Sequence, residues 1–126
     1  MQAPVTDEGL KHLASLGALT DLQLLETKVT DAGLAYLREV TSLRLVRLQG
    51  TNGGKELTDA GLKHLSALPH LNYLILKGPG FTDAALQEIA TWPELYKLTA
   101  ASTSITKAAT EKLQQERPKL QIIRIN

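Results

Sequence analysis

The chain has 126 residues, of which 43% are hydrophobic and only 4% aromatic, with a formal net charge of +1 and no cysteine. That length suits one domain with an aliphatic core, and the missing cysteine excludes disulfides, thiolate metal sites and cysteine nucleophiles. The near-neutral charge gives no global attraction to nucleic acid, membrane or acidic substrates, and no apolar run has the length of a membrane span or the form of a signal peptide.

Taken in order, the chain repeats itself. A hydrophobic residue followed by Thr and Asp opens each unit: Val5-Thr6-Asp7, Val29-Thr30-Asp31, Leu57-Thr58-Asp59, Phe81-Thr82-Asp83 and, altered, Ile105-Thr106-Lys107. The steps are 24, 28, 24 and 24 residues, a period at which each unit buries its apolar face against its neighbours. The third unit is the clearest. Leu62, Leu65 and Leu68 lie on one face of a short helix, and Leu74 and Leu76 have the two-residue spacing of a strand. Thr and Asp at the start suit the free N–H groups and the positive end of that helix. Further columns agree: Leu19, Leu43, Leu71, Leu95 and Leu120; Leu22, Val46, Leu74, Leu98 and Ile123; Leu24, Leu48, Leu76, Ala100 and Ile125. Repeats are therefore expected near 5–28, 29–56, 57–80, 81–104 and 105–126, as one α/β domain spanning 1–126. Its strands should form a parallel sheet on the concave face and its helices an outer row.

Departures from the repeat are local. Gly9, Gly33 and Gly61 recur within the helices, where glycine costs about 1 kcal/mol against alanine; close approach of backbone to the next coil explains them. The second unit carries four additional residues within Gln49-Gly50-Thr51-Asn52-Gly53-Gly54-Lys55-Glu56, a glycine-rich turn on the rim. Lys77-Gly78-Pro79-Gly80 is a second unusual turn. Trp92 occupies the column of Leu16, Val40 and Leu68 and is expected in the core. The last unit has Thr110 where its siblings have Leu, a charged helix, Pro118 as a stop and one extra residue before Leu120, and reads as a polar C-terminal cap. No polar cap precedes Val5, so the chain is expected to be a piece of a longer protein or a small stand-alone array.

The run L-x-x-L-x-L-x-x-T-x-V-T-D-A-G-L at Leu19 to Leu34 resembles the leucine-rich repeat. Within that family it is similar to the cysteine-containing subtype of F-box receptor proteins, and more closely to Thr-bearing repeats of large bacterial, planctomycete-like proteins. Where the eukaryotic subtype carries Cys this chain has Thr27, Thr51, Pro79 and Thr103, which favours the bacterial form. The resemblance implies a right-handed horseshoe solenoid of about five helix-strand units.

Residue chemistry points away from catalysis. Residues 50–56 lack the four-residue spacing and the Ser or Thr of a phosphate loop, and Glu56 follows Lys55. His12 and His64 stand two repeats apart, too far to share one zinc, and His70 lies in a turn at a different height. No Gly-x-Ser-x-Gly elbow exists, and a Thr-Asp pair copied into successive units serves structure. No enzyme, cofactor or metal site is expected.

A binding surface remains. Strand alternation places Leu45, Arg47, Tyr73, Ile75, Lys97, Ile122 and Arg124 on the exposed face of the sheet, with Tyr96 nearby. Apolar residues rimmed by Arg and Lys suit a protein partner, and the expected function is a protein-interaction module using this face and the glycine-rich rim. The alternative is a structural segment that self-associates through its unpaired end strands. Neither nucleic acid nor membrane is an expected partner.

Overall fold

A computed structural model describes residues 7–13, 18–24, 29–49, 57–92 and 94–125. Five strands, β1 (Asp21–Leu24), β2 (Leu45–Gln49), β3 (Tyr73–Lys77), β4 (Lys97–Ala101) and β5 (Gln121–Ile125), form one sheet in sequence order. Every neighbouring pair is parallel, so each connection must travel back along the sheet, and a helix does so. The helix α1 (Asp7–Leu13) precedes β1, and the return segments are α2 (Asp31–Leu34) continued by a 3-10 helix (Ala35–Glu39), a 3-10 helix (Asp59–Ala67), α3 (Asp83–Ile89) and α4 (Lys107–Glu116). The return from β2 to β3 is a 3-10 helix over its whole length; an apolar spacing of three residues, as in Leu62, Leu65 and Leu68, fits its three residues per turn as well as an α-helix.

One side of the sheet and the helices enclose a single, mainly aliphatic core that also holds Phe81 and Trp92. Leu22, Leu24, Val46, Leu48, Leu74, Leu76, Leu98 and Ala100 point into it and meet helix residues such as Leu10, Leu34, Leu62, Leu65, Leu86 and Ile89, all buried. Trp92 is 5% exposed and belongs to this core, as the sequence indicates. Thr110 is buried in place of the leucine of earlier units; its hydroxyl donates to the Lys107 carbonyl at 2.7 Å, so its polarity is satisfied within α4.

A ladder of side-chain bonds runs along the starts of the helices. The carboxylate of Asp7 accepts from the N–H and the hydroxyl of Thr30, both at 2.7 Å. Asp31 does the same for Thr58, Asp59 for Thr82, and Asp83 for Thr106. Each aspartate thus clasps the following unit, while the helix-capping acceptor is the threonine in three units; Thr30, at the start of α2, makes no side-chain cap bond. Thr58 accepts from the Ala60 N–H, Thr82 from Ala84 and Thr106 from Ala109. A hydroxyl can do both, since it has one hydrogen to give and two lone pairs to accept with.

The clasp also explains two glycines. A Cβ on Gly33 would lie 2.1 Å from Asp7 Oδ1, and one on Gly61 would lie 2.5 Å from Asp31 Oδ1. What approaches these backbones is the aspartate of the preceding unit. Ala85 and Ala109 fill the same column where Asp59 and Asp83 make the same clasp, so the clasp tolerates a Cβ and the close approach is particular to Gly33 and Gly61. Gly78 has φ 128, which favours glycine, and the equivalent Ser102 one unit later also has positive φ at 51.

The final strand corrects the sequence reading. Leu98 pairs with Ile122 and Ala100 with Arg124, whereas the column assignment pairs Leu98 with Ile123 and Ala100 with Ile125. Lys97 to Gln121 keeps the regular step, so no extra residue enters the register. Leu120 consequently follows Tyr96 in its column and not Leu95. The Gln114 side-chain amide donates to the Leu120 carbonyl at 2.7 Å and fixes this turn. Because strand side chains alternate, a one-residue shift exchanges the two faces.

Candidate interaction surface

The face of the sheet turned away from the helices is made of the strand residues that do not enter the core. Register sets its layout. Leu45, Tyr73 and Lys97 lie side by side across β2, β3 and β4, followed two residues on by Arg47, Ile75 and Thr99. All six are half-buried, because neighbours on adjacent strands, about 4.8 Å away, cover their flanks.

Tyr73 is held in place. The Lys97 ammonium sits 4.9 Å from the centre of its ring, within cation–π range. Its hydroxyl lies 3.3 Å from Thr99 Oγ1. An aromatic ring fixed from two sides loses little freedom when a partner covers it. Arg47 has a buried Nε–H without an acceptor, a donor whose bonding capacity is unused.

Five expected contact residues, Leu45, Arg47, Tyr73, Ile75 and Lys97, come together on this open face. Tyr96 precedes β4 and is 50% exposed, at the edge of the group. Ile122 and Arg124 do not join it. Ile122 packs against the core beside Leu98. Arg124 stands in the column of Ala100, and its Nε donates to the Ile105 carbonyl at 2.9 Å. The residues that β5 presents on the open face are Gln121, Ile123 and Ile125, the isoleucines being 41% and 53% exposed. The shifted column hid them; counting the unbroken step from Lys97 would have found them.

Neither a protein-family model nor a curated protein matches this chain. Functional meaning therefore rests on the molecule's own geometry. Among the described residues no three His, Asp or Glu side chains gather as metal ligands, and no helix is long and apolar enough to cross a membrane. A recess of about 110 Å3 near Trp92 is lined by Leu65, Ser66, Leu68, Pro69, Leu71 and Glu94; it holds one carboxylate and no second group to act with it as acid or base. The glycine-rich turn, residues 50–56, lies outside the described residues.

Proposed function

We propose that this chain is a leucine-rich-repeat solenoid that serves as a protein-interaction module, with the open sheet face as its docking surface. The observation that carries this reading is the ordered group Leu45, Tyr73 and Ile75 flanked by Arg47 and Lys97. It combines apolar area with a pinned aromatic and an arginine, the residue types that dominate binding energy at protein interfaces. The unbroken clasp ladder and the single register across the sheet support the solenoid assignment, since they tie each unit to the next. The Thr-bearing repeat favours a bacterial origin. The test is capture of partners from an extract of the source organism by the wild-type chain and by Ile75→Asp and Tyr73→Ala. Loss of a specific partner with both variants, but not with Lys112→Ala on α4, is the expected result. A partner retained by every open-face variant would refute the reading.

A second reading, self-association, has its own support in β5. Its isoleucines Ile123 and Ile125 are exposed at the sheet edge, where unpaired backbone groups invite another strand. Sedimentation velocity over a hundredfold concentration range distinguishes the two, and a constant monomer mass excludes self-association.

A further inference from the structure

The open face has a charge pattern that specifies its partner further. Across β2, β3 and β4 it carries Arg47, Lys77 and Lys97 and no carboxylate, and the carboxylate nearest to them in the sheet register is Asp21 at the start of β1, beside Leu45. None of the three cations has an acidic partner within ion-pair distance among the described residues, where the one such pair is Lys107–Glu111 on α4. The overall net charge of +1 conceals this concentration. Its arrangement is equally specific. Arg47 lies directly beside Ile75, Lys77 is two residues further along the same strand, and Lys97 is the diagonal neighbour on β4. Ile75 is thus an apolar centre with cations on both sides along the strand direction.

We infer that this face binds an extended acidic segment of a partner protein, in which an apolar residue is flanked two positions away on each side by Asp or Glu. The inference rests on the protein-interaction reading and gives it a ligand chemistry. The central side chain covers Ile75 and the ring edge of Tyr73. One flanking carboxylate reaches Lys97 and the other Arg47 and Lys77. Extended residues two apart are separated by about 7 Å. Diagonal positions on neighbouring strands lie roughly 8 Å apart on the same spacings, so the reach matches. Arg47 gains most from the encounter. By turning its guanidinium, it offers the unsatisfied Nε–H and one Nη–H side-on to a carboxylate, a two-bond geometry that an ammonium cannot supply. Nucleic acid fits less well. Successive bases stack on successive open aromatic faces, whereas Lys97 already lies over the Tyr73 ring and Tyr96 is a single exposed ring at the edge of the group.

The test is selection of a displayed random library of linear nine-residue peptides on the whole chain, followed by anisotropy with the best labelled peptide. The expected pool is rich in Asp and Glu around an apolar centre. The selected peptide should bind at least about tenfold more weakly to the Arg47→Glu, Lys77→Glu, Lys97→Glu triple variant, and to the wild type when salt rises from low to high, because charge pairs steer and hold such contacts. Circular dichroism and melting of the triple variant, together with a milder Lys77→Gln variant predicted to lose about threefold, separate lost binding from lost folding. A neutral or basic pool that still requires Ile75 overturns the acidic chemistry and leaves the docking face standing. Peptides indifferent to Ile75→Asp and Tyr73→Ala overturn both. Tighter binding of a labelled oligouridine than of any selected peptide also overturns the inference.

Discussion

Replacing Asp59 with alanine tests how units of this chain are joined. Its carboxylate accepts from the Thr82 N–H at 2.8 Å and from the Thr82 hydroxyl, and the site is partly buried. Hydrogen bonds to a charged group contribute about 1.5–3 kcal/mol each. Water can replace part of that at a half-open site, so the pair is worth about 2–3 kcal/mol. The lost acidic charge at the start of a helix adds roughly 0.5 kcal/mol. For a chain of this size 1 kcal/mol moves the melting temperature by about 3–5 °C, and Asp59→Ala should melt about 10 °C lower. Asp59→Asn keeps one acceptor oxygen and should lose about half as much. The decisive assay is a double-mutant cycle in urea with Thr82→Val. Since the threonine hydroxyl also accepts from the Ala84 N–H, its removal alone costs a cap; the coupling of about 1–2 kcal/mol isolates the clasp. If Asp59→Ala costs no more than the exposed control Glu94→Ala, or the coupling is zero, the clasp does not hold the units together.

Three other substitutions have definite signs. Gly33→Ala should destabilise the chain by about 1–3 kcal/mol by overpacking, despite alanine's better helix propensity, because its Cβ would displace Asp7; a raised urea midpoint would contradict this. Trp92→Phe should cost only about 1 kcal/mol, since the indole N–H it deletes has no acceptor, whereas Trp92→Ala should cost about 3–5 kcal/mol through the cavity it leaves. Thermal melts of the two variants check that ratio. Ser102→Gly should stabilise by up to about 1 kcal/mol, because glycine adopts φ 51 without the penalty paid by a side chain; calorimetry showing a lower melting temperature would refute it.

The Leu columns made four of the five strands and their register readable, because period-two leucines separated by a constant step leave one way to align neighbours. The last strand was misread for a local reason. Leu120 looks like Leu95, and preserving that likeness required an inserted residue, whereas the backbone kept its step and placed Leu120 opposite Tyr96. With it went the placement of Ile122 and Arg124. The threonine caps were legible as local chemistry. The aspartate clasps were not, because donor and acceptor stand 23 to 27 residues apart. A signal was present all the same: Asp31 and Asp59 each lie two residues before a glycine, and Lys107 replaces aspartate only in the last unit. The open-face group was legible once alternation was assumed, but the pinning of Tyr73 by Lys97 depends on rotamers, which spacing alone does not determine.

Every aspartate of the ladder belongs to one helix–strand unit and acts on the next, and this handover makes the units exchangeable. Excising residues 57–80 removes Thr58 and Asp59 together. Asp31 would then face Thr82, a donor set identical to the one it lost, and β2 would meet β4 with Val46 beside Leu98. The shortened chain would have a continuous seam, so the length of this array can change by whole helix–strand units without inventing a new joint.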